Sequence, residues 1–223
     1  MKLTPTERPN EVKILEELEK IGAVFRGKHF VYASGKHGDG YINMDMMFPH
    51  TAVVAEICRE LAAPFAGEFD TVAAPATGGI VLSVLTAQAT NTKGVWADKA
   101  GEGDFAFERA GFLEQVKGKR VLVVEDLLTT GGSVEKVCRQ IERAGGTVVA
   151  VSVVCNRGAV TAEMLQVPTL HSLAEVSFTA YEPQECPGCQ NTLPIVSDMG
   201  HGDEYKAEHP EYAGGYVTLQ VAA

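Results

Sequence analysis

The run Val121-Leu122-Val123-Val124 is apolar, continuous and mostly β-branched. It is too short for a helix and has no polar alternation, so it is expected to be a strand buried on both faces of a parallel sheet. Two carboxylates, Glu125 and Asp126, follow where that strand should end, and Thr129-Thr130-Gly131-Gly132-Ser133 comes next. Val134, Val137, Cys138 and Ile141 then fall at the i, i+3, i+4, i+7 spacing of a helix stripe. Apolar strands alternate with helical patterns along the rest of the chain. The expected fold class is therefore α/β, a central parallel sheet flanked by helices.

The loop Thr129–Ser133 has the composition of an anion cradle. Glycines admit a close backbone approach, hydroxyls add donors, and a helix N-terminus favours negative charge, so a phosphate is the expected guest. Glu125 and Asp126 would repel that phosphate if they shared its pocket. They are expected to face sugar hydroxyls or a divalent cation instead. A P-loop is excluded because no Lys follows Gly132, and no Gly-x-Gly-x-x-Gly stands at a strand end.

The 223 residues suffice for one sizeable domain, read here as a single domain over 1–223. The apolar share of 45% against 22% charged is that of a globular chain. A formal net charge of −10 argues against nucleic acid as a partner, because no basic surplus exists to neutralise it. MKLTPTERPNEVK has no apolar targeting core, and no apolar run reaches a bilayer span. The expected location is the cytoplasm, with no membrane partner. Five cysteines are too few and too scattered for a disulfide framework.

Taken in order, Val12, Ile14, Leu15, Leu18 and Ile21 mark an amphipathic helix with Asn10 as its N-cap and Gly22 as its stop, and Phe25–Tyr32 reads as a strand or hairpin arm. A polar loop rich in special residues follows, Ser34-Gly35-Lys36-His37-Gly38-Asp39-Gly40-Tyr41-Ile42-Asn43. A second helix is expected over Thr51–Phe65, and Thr71–Pro75 is a short buried strand. Its turn, Ala76-Thr77-Gly78-Gly79, leads into a helix at Ile80–Ala89, a second unit suited to a phosphate. Val95–Ala97 is another strand with Lys99 just after it. AGEGDFAFER, residues 100–109, reads as a mobile loop or a two-stranded flap. Thr147–Val154 is a further parallel strand, and Arg157 lies just past it, on the side where open α/β sheets bind ligands. A short helix at Ala159–Leu165 and an edge strand at Leu170–Val176 precede a loop-rich tail. In that tail Cys186-Pro187-Gly188-Cys189 has the spacing of half a structural zinc site. No second Cys pair exists, so the turn reads as one with free thiols unless His201, His209 or a symmetry mate completes a site.

The stretch Val121–Ser133, with its strand, two acids and Thr-Thr-Gly-Gly-Ser, closely resembles the 5-phosphoribosyl-1-diphosphate (PRPP) signature of the type I phosphoribosyltransferases. The upstream loop from Ser34 to Tyr41 resembles the part of orotate phosphoribosyltransferases that forms a hood over the pyrimidine. Ala74-Pro75-Ala76-Thr77-Gly78-Gly79 resembles their bacterial and thermophile-type subset. The resemblance implies a small hood within residues 1–50, a core over 51–178 and a tail over 179–223. It further implies transfer of the phosphoribosyl group from PRPP to orotate, with Mg²⁺ carried mostly by the diphosphate and no dedicated protein ligands for it.

On that resemblance Thr129, Thr130, Gly131, Gly132 and Ser133 would hold the 5′-phosphate, and Glu125 and Asp126 the ribose. Thr77, Gly78, Gly79 and Lys99 would face the diphosphate, with Arg109 as a further catalytic cation. Arg157, Thr129, Ser34, Lys36 and Tyr41 would read orotate. Family members close a flexible loop from the neighbouring subunit of a homodimer, usually with a basic residue on it. This chain departs there, carrying Glu102, Asp104 and Glu108, and has Gly78 where several members have Lys. The competing readings are a phosphoribosyltransferase for a purine base and a non-catalytic PRPP-binding regulator.

Overall fold

The computed structural model describes residues 9–219, so the reading of residues 1–8 lies outside the described part. In chain order the elements are α1 (Pro9–Lys20), β1 (Val24–Val31), β2 (His37–Ile42), α2 (Thr51–Ala62), β3 (Thr71–Pro75), α3 (Gly79–Thr90), β4 (Lys93–Lys99) and β5 (Phe105–Ala106). They continue as α4 (Phe112–Val116), β6 (Arg120–Leu128), α5 (Gly132–Arg143), β7 (Thr147–Asn156), α6 (Ala162–Leu165) and β8 (Leu170–Glu175). The last are α7 (Pro187–Gln190), β9 (Ile195–Val196), α8 (Gly202–Glu208) and β10 (Tyr216–Val217).

The chain divides into two compact units. The first takes in the chain through Glu17 together with Met44–Val176 and holds a six-stranded sheet of order β5-β4-β3-β6-β7-β8. All its pairings are parallel except β4 with β5. Val121, Leu122, Val123 and Val124 are each 0% exposed, as a central strand with two covered faces requires. Burying four such side chains stabilises the fold by about 1.5–3 kcal/mol each. Val121 and Val123 pack with Val134, Val137, Cys138 and Ile141 of α5. Alternation turns Leu122 and Val124 to the opposite face. Helix α2 stops at Ala62, short of the expected Phe65, because Pro64 cannot continue the hydrogen-bond ladder; Ala63–Phe65 forms one 3₁₀ turn that still buries Phe65.

The strand order reverses at β3 and β6. The chain leaves β3 toward β4 on one side and leaves β6 toward β7 on the other. The loops after β3 and β6 therefore diverge, leaving a crevice at their C-terminal ends where such sheets take ligands.

The second unit comprises Leu18–Asn43 and the chain from Ser177. Its four-stranded sheet has the order β10-β9-β1-β2. The expected polar loop 34–43 is thus mostly strand: β2 pairs antiparallel with β1, Val31 opposite His37, and only the turn at its start is loop. The tail is loop-rich as expected, yet it also contributes core. Phe30, Tyr32 and Val196 form a buried cluster, with Ile195 0% exposed. Strands of two residues are too short to show periodicity in sequence, which is why this core was invisible there.

Candidate active site

Strand β6 carries Glu125 and Asp126 at its C-terminal end, and α5 begins at Gly132. The chain turns between them through Gly131, at φ +79°, where an added Cβ would also meet Leu165 Cδ2 at 2.7 Å. Any other residue there would be strained both in backbone and in packing. Thr129, Thr130 and Ser133 are exposed at this turn, and the Thr130 hydroxyl accepts a 3.5 Å hydrogen bond from Gly132 N–H. The side chains of Thr129, Thr130 and Ser133 are thus exposed at the N-terminus of α5, the end of a helix that favours an anion.

Glu125 is only 7% exposed. Burial first, and then the charge of Asp126, push its carboxyl well above the ordinary range. Asp126 is raised too, by burial and secondarily by Asp45, although hydrogen bonds from Glu125 and from Leu127 N–H oppose the shift. The Leu127 amide donates to Asp126 Oδ1 at 2.7 Å, and the Asp126 amide to Glu125 Oε1 at 3.1 Å. Among the described residues no cation offsets either carboxylate. Hydroxyl donors or positive charge brought from outside would relieve such a pair.

The second expected turn follows β3 and closes on the same pair. A Cβ on Gly78 would collide with the Asp126 carboxylate, and one on Gly79 would lie 3.3 Å from Glu125 Oε1. With Asp126 in this position a side chain at residue 78 would have to displace its carboxylate. Thr77 is exposed, and the Ala76–Thr77 peptide is cis.

Arg157 follows β7. Its N–H donates to Leu128 O at 2.8 Å, and a Cβ on Gly158 would run into the Thr129 backbone. Asn156, buried, clamps the segment by donating to Val160 O at 2.9 Å and accepting from Val160 N–H at 3.1 Å. The ends of β6 and β7 are therefore tied together, and Arg157 starts beside the hydroxyl loop.

Lys99 is exposed at the end of β4, on the same edge of the sheet. Arg109 is held by Asp98 in a two-pronged pair, Nε to Oδ2 at 2.9 Å and Nη2 to Oδ1 at 3.1 Å, with its guanidinium 5.0 Å from the Trp96 ring centre. Of the two forms expected for residues 100–109, the structure has the two-stranded flap. Phe105 and Phe107 anchor it in the core, and Asp104 turns onto α5, where Gln140 donates to it at 3.0 Å and Arg143 lies at 3.6 Å. That acidic residue is structural in this arrangement.

Ser34, Lys36 and Tyr41 belong to the second unit. Ser34 is exposed, Lys36 pairs with Glu182 at 3.0 Å, and Tyr41 stacks on Phe30 with centroids 5.4 Å apart. Sequence reasoning missed Asp45, Asn156 and the Asp98 clamp, none of which carries a local signal. It also looked to His201 and His209 for partners of Cys186 and Cys189. Those histidines instead flank α8 beside Glu204 and Glu211, at 3.7 Å each, and the cysteines meet His29 and His37.

Residues 49–178 match the family model described as phosphoribosyl transferase domain. The chain is 38% identical to the orotate phosphoribosyltransferase of Pelotomaculum thermopropionicum over 187 residues, 82% of this chain and 94% of that protein. It is 37% identical to that of Caldanaerobacter subterraneus over 185 residues, with the same coverage of each. The crystal structure of the Aeropyrum pernix orotate phosphoribosyltransferase superposes with a TM-score of 0.59 at 27% identity, covering 73% of this chain and 93% of that one. Matched over most of its length by relatives at 37–38% identity, the chain belongs to the orotate phosphoribosyltransferase family.

Proposed function

We propose that this protein transfers the 5-phosphoribosyl group of PRPP to N1 of orotate, giving orotidine 5′-monophosphate and diphosphate for pyrimidine synthesis. The observation that carries the reading is the juxtaposition of an exposed hydroxyl loop at a helix N-terminus with a buried, uncompensated acid pair at a strand switch point. A sugar phosphate satisfies both at once.

In this reading Thr129–Ser133 grip the 5′-phosphate and fix the ribose. Glu125 and Asp126 accept from, and when protonated donate to, its hydroxyls. Their negative charge favours the positive charge that develops at the anomeric carbon as its bond to diphosphate breaks and its bond to N1 forms. N1 of orotate is already acidic, so no strong general base is required. The acid pair also fits a cation. Glu125 and Asp126 are the carboxylates that would face a diphosphate-borne Mg²⁺, whose contribution would be to neutralise the leaving group. Lys99 and the Thr77–Gly79 turn add to that neutralisation, and Arg109 joins them if Asp98 releases it. Arg157 forks onto the orotate carboxylate, the geometry a planar guanidinium suits. Ser34, Lys36 and Tyr41 are assigned to orotate on the family resemblance. We also assign a homodimer and a cytoplasmic location; among the described residues no helix is long and apolar enough to cross a membrane.

Mixing protein, Mg²⁺, PRPP and orotate should consume the orotate absorbance and yield orotidylate. No product together with tight PRPP binding would instead identify a regulator, and consumption of a purine base in place of orotate would move the chain to another specificity.

A further inference from the structure

His29, His37, Cys186 and Cys189 place one ligand atom each within 4.8 Å of all the others, inside the second unit. His29 Nε2 lies 2.9 Å from His37 Nδ1, 3.5 Å from Cys186 Sγ and 3.7 Å from Cys189 Sγ, and Cys189 Sγ lies 3.2 Å from His37 Nδ1. A zinc tetrahedron with its usual bond lengths sets such atoms apart by about 3.3 Å for two nitrogens and about 3.8 Å for two sulfurs. A nitrogen and a sulfur fall between, at about 3.5 Å; the nitrogen–nitrogen and the three nitrogen–sulfur separations above lie within a few tenths of an ångström of these values, and the whole set lies within 4.8 Å.

We propose that these four residues bind one structural Zn²⁺. Two thiolates and two imidazoles are the donor set that selects zinc over hard cations, and four protein ligands leave no open position for catalysis. The surroundings are those of a built site. His29 and Cys186 are 3% and 1% exposed, and His37 is 0% exposed. His29 Nδ1–H donates to Leu193 O at 3.0 Å, which fixes the tautomer with the Nε2 lone pair facing the cluster, the usual support for a metal-bound imidazole. Gly188, between the cysteines, packs against the His29 ring so closely that a Cβ would lie 2.8 Å from it. Tyr205 and Tyr212 shield the histidines edge-on, at centroid distances of 5.0 and 6.1 Å.

The local geometry comes from the hairpin and the tail. Val31 opposite His37 puts those two on one face of β1–β2, and His29, two residues before Val31, shares that face. Helix α7 starts at Pro187, so that Cys186 and Cys189 bracket its first turn. The metal staples the tail to the hairpin that holds Ser34, Lys36 and Tyr41, and it does so whatever those residues bind. The alternative is a metal-free core in which thiols and imidazoles hydrogen-bond to one another.

Two measurements decide between these. Protein purified without chelators should carry about one zinc per chain by plasma mass spectrometry, falling about tenfold or more in Cys189→Ser and in His37→Gln and staying near one in Cys58→Ser and His209→Ala. Cobalt exchanged into the unaltered protein should show the intense visible bands of tetrahedral Co²⁺ and thiolate charge transfer. Unaltered protein that holds less than about a tenth of a zinc per chain after zinc is supplied overturns the proposal. So does a cobalt spectrum without thiolate bands, or a Cys189→Ser protein with full zinc content.

Discussion

Two of the buried groupings of polar side chains, the acid pair after β6 and the His–Cys cluster, are built in opposite ways. Glu125 and Asp126 are neighbours in sequence, both acidic, with no cation among the described residues to offset them. The cluster in the second unit gathers four neutral-capable donors from positions up to 160 residues apart, aimed at a common centre. An acid pair of the first kind burdens the empty protein and is relieved by ligand. A convergent donor set of the second kind contributes to the fold once its ion is present. On the two readings proposed above, buried polarity would serve catalysis in one place and architecture in the other.

The largest effect that would break this contrast is on turnover. Asp126→Asn should lower kcat by about 10²–10³, as loss of a preorganised charge at a reacting centre does. The same substitution should stabilise the ligand-free protein by on the order of 1 kcal/mol at neutral pH, the usual trade at a strained site. Unchanged turnover, or a lower melting temperature in the variant, would contradict the assignment.

Next comes specificity. Arg157→Ala should raise the KM for orotate by roughly 10–100-fold, the value of a charge-assisted bidentate contact, while the KM for PRPP stays nearly constant. Equal rises in both would place Arg157 with the phosphates.

Gly78→Ala should weaken PRPP binding and cost about 1–3 kcal/mol of stability, because its Cβ has to displace the Asp126 carboxylate. In the Asp126→Ala background the stability cost should shrink, a non-additivity that a double-mutant cycle would read directly.

The smallest effect is a pH profile. Both carboxyls sit above their ordinary range in the folded state, so protonation favours the fold. The stability they contribute is fully present at acidic pH, below their unfolded values, and is lost as pH rises through the raised ones. Asp70 runs the other way. The Arg120 guanidinium holds its carboxyl down at about 2, so its contribution is present above the ordinary carboxylate value and fades only in strong acid. Melting ligand-free protein across mildly acidic to neutral pH should show a decline with rising pH that Asp126→Asn diminishes.

The strand Val121–Val124, the acids after it and the helix stripe of α5 were legible because each rests on contacts within a few residues: alternation, length and a glycine turn dictate them locally. The same holds for the loop after β3 and for Arg157 past β7, since a strand's C-terminal end can be located from its apolar run alone. The hairpin, the two-residue strands of the tail and the helix end at Ala62 were blurred where pairing partners or a single Pro64 overrode composition.

By itself, then, the sequence determined the α/β layering, the hydroxyl loop and the acid pair, since these follow from periodicity and from the chemistry of adjacent residues. The tertiary structure alone decided that a side chain at residue 78 would meet the Asp126 carboxylate, that Asp98 holds Arg109, and that Cys186 and Cys189 meet His29 and His37 instead of His201 and His209. These are convergences between distant segments, set by strand register and packing, and no local pattern encodes which distant side chain will arrive.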